Sequence, residues 1–386
     1  MSRAVLFVAL IACGTPPPQT MPAGGQATAG GSATAGGEAT AGGIATAGGG
    51  STSSTATTIR VHYPAGTKTL WLRGSEAPLT WFDNATLTKG ADDTWSETLE
   101  VSTPTFELKP MLDADWSVGP NYVAARGSTL DIYPRFGQQN GRVTKLIDTF
   151  HSTKLARDRG IWVYLPPSYD ENPTARFPVL YMHDGQNLFD PAMAFGGNEW
   201  RVDEALNAGA RDGSIRELIV VGIENTPDRL WEYAGGAGPM AGGDAYRAML
   251  IEELKPRIDS MLRTLPGRAT TGIAGSSMGG QISAYVTATR PDVFGMTGDF
   301  STSAYMWSST VAAVAAITTR SKVYIDCGTS NDGESNTNTL YAQYLSVGYV
   351  EGVDIKKVLQ QGASHSEFYW AQRFPGAAVW LFGPRQ

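Results

Sequence analysis

Residues Thr271 to Gly280 read TGIAGSSMGG, an apolar run followed by two adjacent serines hemmed in by glycines. Within it, Gly275-Ser276-Ser277-Met278-Gly279 fits G-x-S-x-G with Ser277 at the centre, after an expected strand and before an expected helix. A sharp strand-to-helix turn lifts the central hydroxyl above a sheet, and a larger residue in place of the glycines would collide with adjoining backbone. The same turn directs the Met278 amide toward the hydroxyl and sets a helix N-terminus behind it, where negative charge is favoured. Ser276 still belongs to the strand and faces elsewhere.

The flanking chain, from Gly141 to the end, keeps the rhythm that such a turn requires. GIWVYLPPS, FPVLYMHD, ELIVVGIEN, TTGIAGSS and KVYIDCGTS are β-rich runs that end in loop residues. NEWRVDEALNAG, DAYRAMLIEELKPRIDSMLRTL, MGGQISAYVTATR, TNTLYAQYLSVG and SEFYWAQRFPGAAVWLF have the length or spacing of helices. Strands alternating with helices predict an α/β domain with a mostly parallel sheet covered on both faces over residues 141–386. Ligands of such sheets sit at the carboxyl ends of the strands.

A serine hydroxyl is a weak nucleophile and needs a base. Of the four histidines, His62, His151, His183 and His365, only His365 follows Ser277, and in this kind of sheet the order is serine, acid, histidine. The acid must then lie in KVYIDCGTSNDGE, which offers Asp326, Asp332 and Glu334. Asp326 falls inside the apolar run, whereas Asp332 lies beyond it next to a glycine, so Asp332 is the first choice and Glu334 the second. Its role would be to orient His365 and stabilise the imidazolium. A second oxyanion donor is expected from VLYMHDGQNLFD, with the Gln186 amide first and Gly185 as fallback. No further His or Cys cluster accompanies His183 and Asp184, so neither a catalytic metal nor another cofactor is expected.

The N-terminal part has a different composition. MSRAVLFVALIAC carries Arg3 and then nine apolar residues before Cys13, too few to span a bilayer but suited to an export signal. Leu10-Ile11-Ala12-Cys13 resembles a bacterial lipobox, which would make Cys13 a diacylated first residue. Gly14 carries no acidic retention signal, so an outer-membrane lipoprotein is expected, anchored only through its lipid. Residues 14–57 are almost wholly Gly, Ala, Thr, Ser and Pro, with GGQATA, GGSATA, GGEATA and GGIATA in tandem. Such a disordered tether of about 44 residues would span roughly 35 to 40 Å. Cys327, the other cysteine, lies in an apolar run and should pack as a small hydrophobe. A net charge of −7 with no basic run argues against nucleic acid as a partner.

Residues 58–137 break into short alternating runs, IRVHYPAG, KTLWLRGS, TWSETLEVS, TFELKPMLD and STLDIYPRF, which predict a small antiparallel β-sandwich. Trp71, Trp81, Phe82, Trp95, Trp116 and Tyr122 lie in or near it and serve either as core or as a platform for sugar rings. LRGSEAPLTW, DDTWSETLEV and FELKPMLDADWSVGPN resemble the starch-binding-type, carbohydrate-binding modules, in which an early Trp and a later W…G-x-N turn bear the glycan.

YLPPSYDENPTARFPVLYMHDGQNLFD, LIVVGIENTPDRLWEY, IEELKPRID, GIAGSSMGG, RPDVFG and YIDCGTSND together resemble the putative-esterase branch of the α/β-hydrolases, which includes enterochelin, feruloyl and acetylxylan esterases. The resemblance implies a serine carboxylic ester hydrolase working through an acyl-enzyme, with Ser277 as nucleophile, Asp332 as acid and His365 as base. Many relatives place the acid earlier, where this chain has Ser330 and Asn331, and STSAYMW stands where relatives often have S-P-S. The expected substrate is a carbohydrate or plant-phenolic ester of feruloyl or acetyl-xylan type. A siderophore ester is the alternative, and an inert glycan-binding surface lipoprotein is the reading from another class.

Overall fold

The computed structural model describes residues 56–137 and 140–384. The lipobox and nearly all of the expected tether lie outside the described residues. The first strand begins at Ala56, so Ala56 and Thr57, assigned by composition to the tether, are part of the sandwich. Thr57 is fully buried and its hydroxyl accepts the Gly127 N–H at 2.9 Å, a long-range contact that local composition does not reveal.

Two small sheets form the N-terminal sandwich. One runs Thr88–Lys89, Thr94–Glu100, Ala56–His62, Thr129–Ile132, and the other Ala85–Thr86, Leu70–Gly74, Thr105–Leu112, Asp115–Trp116, with Tyr122–Ala125 also paired to Thr105–Leu112. The pairing is antiparallel except where Thr58 meets Thr129. Alternation leaves each sheet one apolar face, so Ile59, Val61 and Leu99 of the first pack with Leu70, Leu72 and Leu108 of the second. The aromatic set divides: Trp95 and Tyr122 are buried, whereas Trp116 is 40% and Phe82 86% exposed. Tyr63 donates to Glu171 at 3.0 Å and Asn172 donates to the His62 carbonyl at 2.9 Å, which docks the sandwich on the larger domain.

That domain is an α/β-hydrolase fold. Its strands are β1 (Arg142–Ser152), β2 (Arg157–Leu165), β3 (Val179–His183), β4 (Ile219–Ile223), β5 (Thr271–Ser276), β6 (Met296–Phe300), β7 (Lys322–Gly328) and β8 (Ile355–Gln360), in the spatial order 1-2-4-3-5-6-7-8. β2 is antiparallel to its neighbours and β3 to β8 are parallel. β3, β4, β5 and β6 are buried along their whole length, as a sheet covered on both faces requires. One cover consists of α1 (Val202–Asp212) and α5 (Glu367–Phe382), whose Leu206 and Phe374 pack with Leu180 and Met182. The other includes α2 (Met278–Thr289), α3 (Ser308–Ala315) and α4 (Glu334–Ser346), with Ile282 and Val286 against Tyr181 and Ile273. Cys327 is a free, buried thiol.

Candidate active site

Ser277 stands between β5 and α2 with φ +57° and ψ −120°, a strained backbone for a residue with a side chain. The neighbouring loops hold it there: its N–H donates to the Phe300 carbonyl at 2.8 Å, and its carbonyl accepts the Gln281 and Ser303 N–H groups at 3.1 Å each. A Cβ on Gly275 would lie 2.9 Å from the Gly279 carbonyl carbon and 3.0 Å from the His183 ring, so the first glycine of the motif is sterically required. Ser276 ends the strand and is buried. Met278 heads α2, where its N–H has no acceptor within the helix.

The acid and the base approach from the ends of β7 and β8. Asp332 lies in the loop between β7 and α4, flanked by Asn331 at φ +55° and Gly333 at φ +74°. Its carboxylate is buried and meets His365 Nδ1 at 2.7 Å through Oδ1. Oδ2 accepts from the Ser301 hydroxyl at 2.7 Å and the Gly328 N–H at 2.5 Å. Burial alone would raise its pKa, but the bonds from His365, Ser301 and Gly328 outweigh that and hold the carboxyl below its ordinary range. Glu334 is the first residue of α4, and the His365 Nδ1 bond goes to Asp332 rather than to it. Asp326 sits inside β7, fully buried 2.9 Å from Arg373 Nε, and burial pushes its carboxyl up to about 7.

His365 precedes α5, its side chain 38% exposed and its ring set edge-on to Trp370 at 5.0 Å. Among the described residues the Ser277 hydroxyl is not hydrogen-bonded to His365. Such bonds in ligand-free enzymes often tighten only when substrate is bound.

One supporting group escaped the sequence reading. Ser301, just past β6 at φ +46°, accepts from Trp370 Nε1 at 2.8 Å and Arg373 Nη2 at 2.9 Å while donating to Asp332. It lies in the STSAYMW segment singled out as unusual, but its donors come from a helix some seventy residues later. The turn after β3 carries Gly185 and Gln186, the residues expected to supply the second oxyanion donor. A Cβ on Gly185 would lie 2.5 Å from the Gly222 carbonyl carbon, so glycine alone lets this turn press on β4. Gln186 accepts the Asn225 N–H through its side chain at 3.3 Å. His183 is buried with Nδ1 2.9 Å from the Tyr246 hydroxyl, and desolvation first, then Arg229 and Arg159, depress its pKa to about 3. Among the described residues, Glu199, Asp203 and Glu204 bring carboxylate oxygens within 4.8 Å of one another, with no histidine or cysteine in the group.

The sheet order and its two helical covers define an α/β-hydrolase-type fold. Residues 152–381 match the sequence model of the Esterase family, described as "Putative esterase", and the chain belongs to that family of ester hydrolases. It is 25% identical over 254 residues to an uncharacterized Bacillus subtilis protein, YbbA, covering 60% of this chain and 96% of that one. It is 26% identical over 240 residues to an endo-1,4-beta-xylanase/feruloyl esterase of Xylanibacter ruminicola, covering 61% of this chain and 31% of that relative. Among solved structures, a ferulic acid esterase superposes with a TM-score of 0.52 at 20% identity, over 63% of this chain and 98% of its own. An enterobactin esterase from Shigella flexneri gives 0.51 at 15% identity, over 84% and 92%.

Proposed function

We propose that the protein is a serine esterase that works through an acyl-enzyme formed on Ser277. The observation that carries this reading is the Asp332–His365 pair, which follows β7 and β8 beyond the carboxyl ends of the parallel strands, where the strained Ser277 turn follows β5. His365 Nε2 takes the Ser277 proton as Oγ attacks the ester carbonyl carbon, and Asp332 stabilises the imidazolium. The backbone N–H groups of Met278 and Gln186 donate to the developing oxyanion. Collapse of the tetrahedral intermediate breaks the carbon–oxygen bond to the alcohol, which leaves with the proton from His365. Water, deprotonated by His365, then attacks the acyl group and releases the acid and Ser277.

The substrate we assign is a carbohydrate or plant-phenolic ester. The feruloyl esterase name carried by the Xylanibacter relative supports it. Sugar binding by the sandwich belongs to the same reading: Trp81, Lys109, Trp116 and Asn121 line a surface cavity of about 350 Å³, with the two indoles 6.2 Å apart. Trp116 is partly exposed, with the Arg73 guanidinium 5.4 Å over its ring, and a partly exposed indole suits a sugar ring. The lipid anchor at Cys13 would hold both domains at the bacterial envelope. A hydrolysis screen over feruloyl, acetyl-xylan, catecholate-siderophore and simple thioester substrates tests the assignment. Preference for feruloyl or acetyl-xylan esters supports it; preference for the siderophore ester replaces it; a folded protein inert on all of them favours a binding scaffold.

A further inference from the structure

The turn that carries Gln186 begins at Asp184, a residue the reaction above leaves unused. Asp184 is buried and adopts φ +57°, ψ +47°, a left-handed conformation uncommon for residues with a side chain though tolerated by Asp. The segment after β4 holds it. Arg229 donates Nε to Oδ1 and Nη2 to Oδ2, both at 2.7 Å, and Asn225 donates its side-chain amide to Oδ1 at 2.7 Å. The Asn225 N–H also donates to the Gln186 side chain, so the turn is tied to this segment at two residues. On its other side, a Cβ on Gly279 would come within 3.5 Å of Asp184 Oδ2, which sets the carboxylate against the first turn of α2. Arg229 is itself held over the Tyr233 ring at 5.0 Å.

This arrangement poses an electrostatic problem. A buried carboxylate against the first turn of α2 and two residues before Gln186 opposes negative charge developing at the Met278 and Gln186 amides, and a low-dielectric surrounding strengthens the opposition. A bidentate guanidinium cancels that charge and fixes the plane of the carboxylate at once. We propose that Asp184 and Arg229 form a positioning pair for the oxyanion site, fixing the turn that presents the Gln186 amide while neutralising the Asp184 charge. The proposal rests on the esterase reading above, and both residues would act through the turn rather than on the reacting atoms.

A pair that only stabilised the fold would alter melting and leave turnover per folded molecule alone. A positioning pair affects kcat. Arg229→Met should lower kcat by roughly 10- to 100-fold, less than the ~10²- to 10³-fold typical for loss of a whole oxyanion donor. KM should stay within about threefold, because the interaction develops in the transition state. Part of the loss comes from the uncompensated Asp184 charge, so Asp184→Asn combined with Arg229→Met should recover about threefold or more over Arg229→Met alone. Arg229→Lys, which keeps the charge but not the fork, should fall between wild type and Arg229→Met.

The experiment is steady-state hydrolysis of p-nitrophenyl acetate by the full chain, with circular dichroism for folding and a fluorophosphonate to count reactive Ser277. The expected order of kcat, at nearly constant KM, is wild type, Arg229→Lys, then Arg229→Met, with the double variant above Arg229→Met. Wild-type kcat in folded Arg229→Met, or a double variant no better than that single one, overturns the proposal. If Arg229→Met does not fold, wild-type kcat in Arg229→Lys overturns it. A wild type that neither reacts with the probe nor turns over removes the esterase reading and this proposal together. A labelled, active wild type beside an unimpaired Arg229→Met removes the proposal alone.

Discussion

Asp332 Oδ1 lies 2.7 Å from His365 Nδ1, although the two residues are 33 positions apart in the chain and come from loops after different strands. The bond fixes which ring nitrogen faces the acid and leaves Nε2 for chemistry. Asp332→Asn keeps the shape but offers the imidazole the wrong partner, with an expected loss of about 10²- to 10⁴-fold in kcat. Glu334→Gln should stay within a few-fold. Asp326→Asn should retain turnover and melt a few degrees lower, because Arg373 loses its buried carboxyl partner at 2.9 Å. Thermal melts beside p-nitrophenyl acetate kinetics separate the three, and a crippled Glu334→Gln with an active Asp332→Asn would move the acid to Glu334.

His183 gives the stability a pH dependence. Its folded pKa, depressed to about 3 by desolvation, lies below the ordinary value of 6.5, so between these limits the unfolded chain binds the extra proton. Its contribution is therefore complete above the unfolded value and is lost as pH falls through the window. At pH 4.5 this amounts to about 3 kcal/mol relative to pH 7.5. Urea midpoints at the two pH values should differ less in His183→Gln than in wild type; an equal difference would assign the acid sensitivity to other groups.

Trp116, 40% exposed beside Trp81, is the test of the sandwich. Trp116→Ala should weaken co-sedimentation with insoluble polysaccharide by roughly 2- to 10-fold, given the ~0.5–1.5 kcal/mol a stacked ring contributes, while small-ester turnover stays constant. Equal sedimentation of both proteins, or none by wild type on starch and xylan alike, removes the glycan site.

The anchor is tested in cells. Cys13→Ser should move the protein from the membrane fraction to the soluble fraction with activity per molecule unchanged, since the acyl chains are the proposed attachment. Persistent membrane association without labelled-lipid incorporation contradicts it.

Ser277 and Asp332 stand out in the sequence because each occupies a short polar segment after an apolar run, and His365 because it is the only histidine after Ser277; the structure brings Asp332 and His365 together. Three strands were not legible. β8 reads IKKVLQ, its lysines suited to a sheet edge, and β1 likewise lies at an edge. β6 reads MTGDF, and its acid is hidden only by tertiary partners: Asp299 is buried against Thr297 and Tyr344 at 2.9 and 3.1 Å, with burial raising its carboxyl to about 7. The ties from Trp370 and Arg373 to Ser301 escaped for the same reason, since no local pattern records a partner that far along the chain.

The nucleophile is the central claim, and covalent trapping tests it most directly. The full chain is treated with diethyl p-nitrophenyl phosphate, weighed intact by mass spectrometry and mapped by peptide fragmentation, beside Ser277→Ala and Ser276→Ala. The account predicts one diethylphosphoryl adduct on Ser277 with loss of turnover. It also predicts no adduct and at least ~10³-fold lower kcat in Ser277→Ala with unchanged melting, and near-normal behaviour in Ser276→Ala. An adduct on another residue, or full ester turnover by Ser277→Ala, would contradict it.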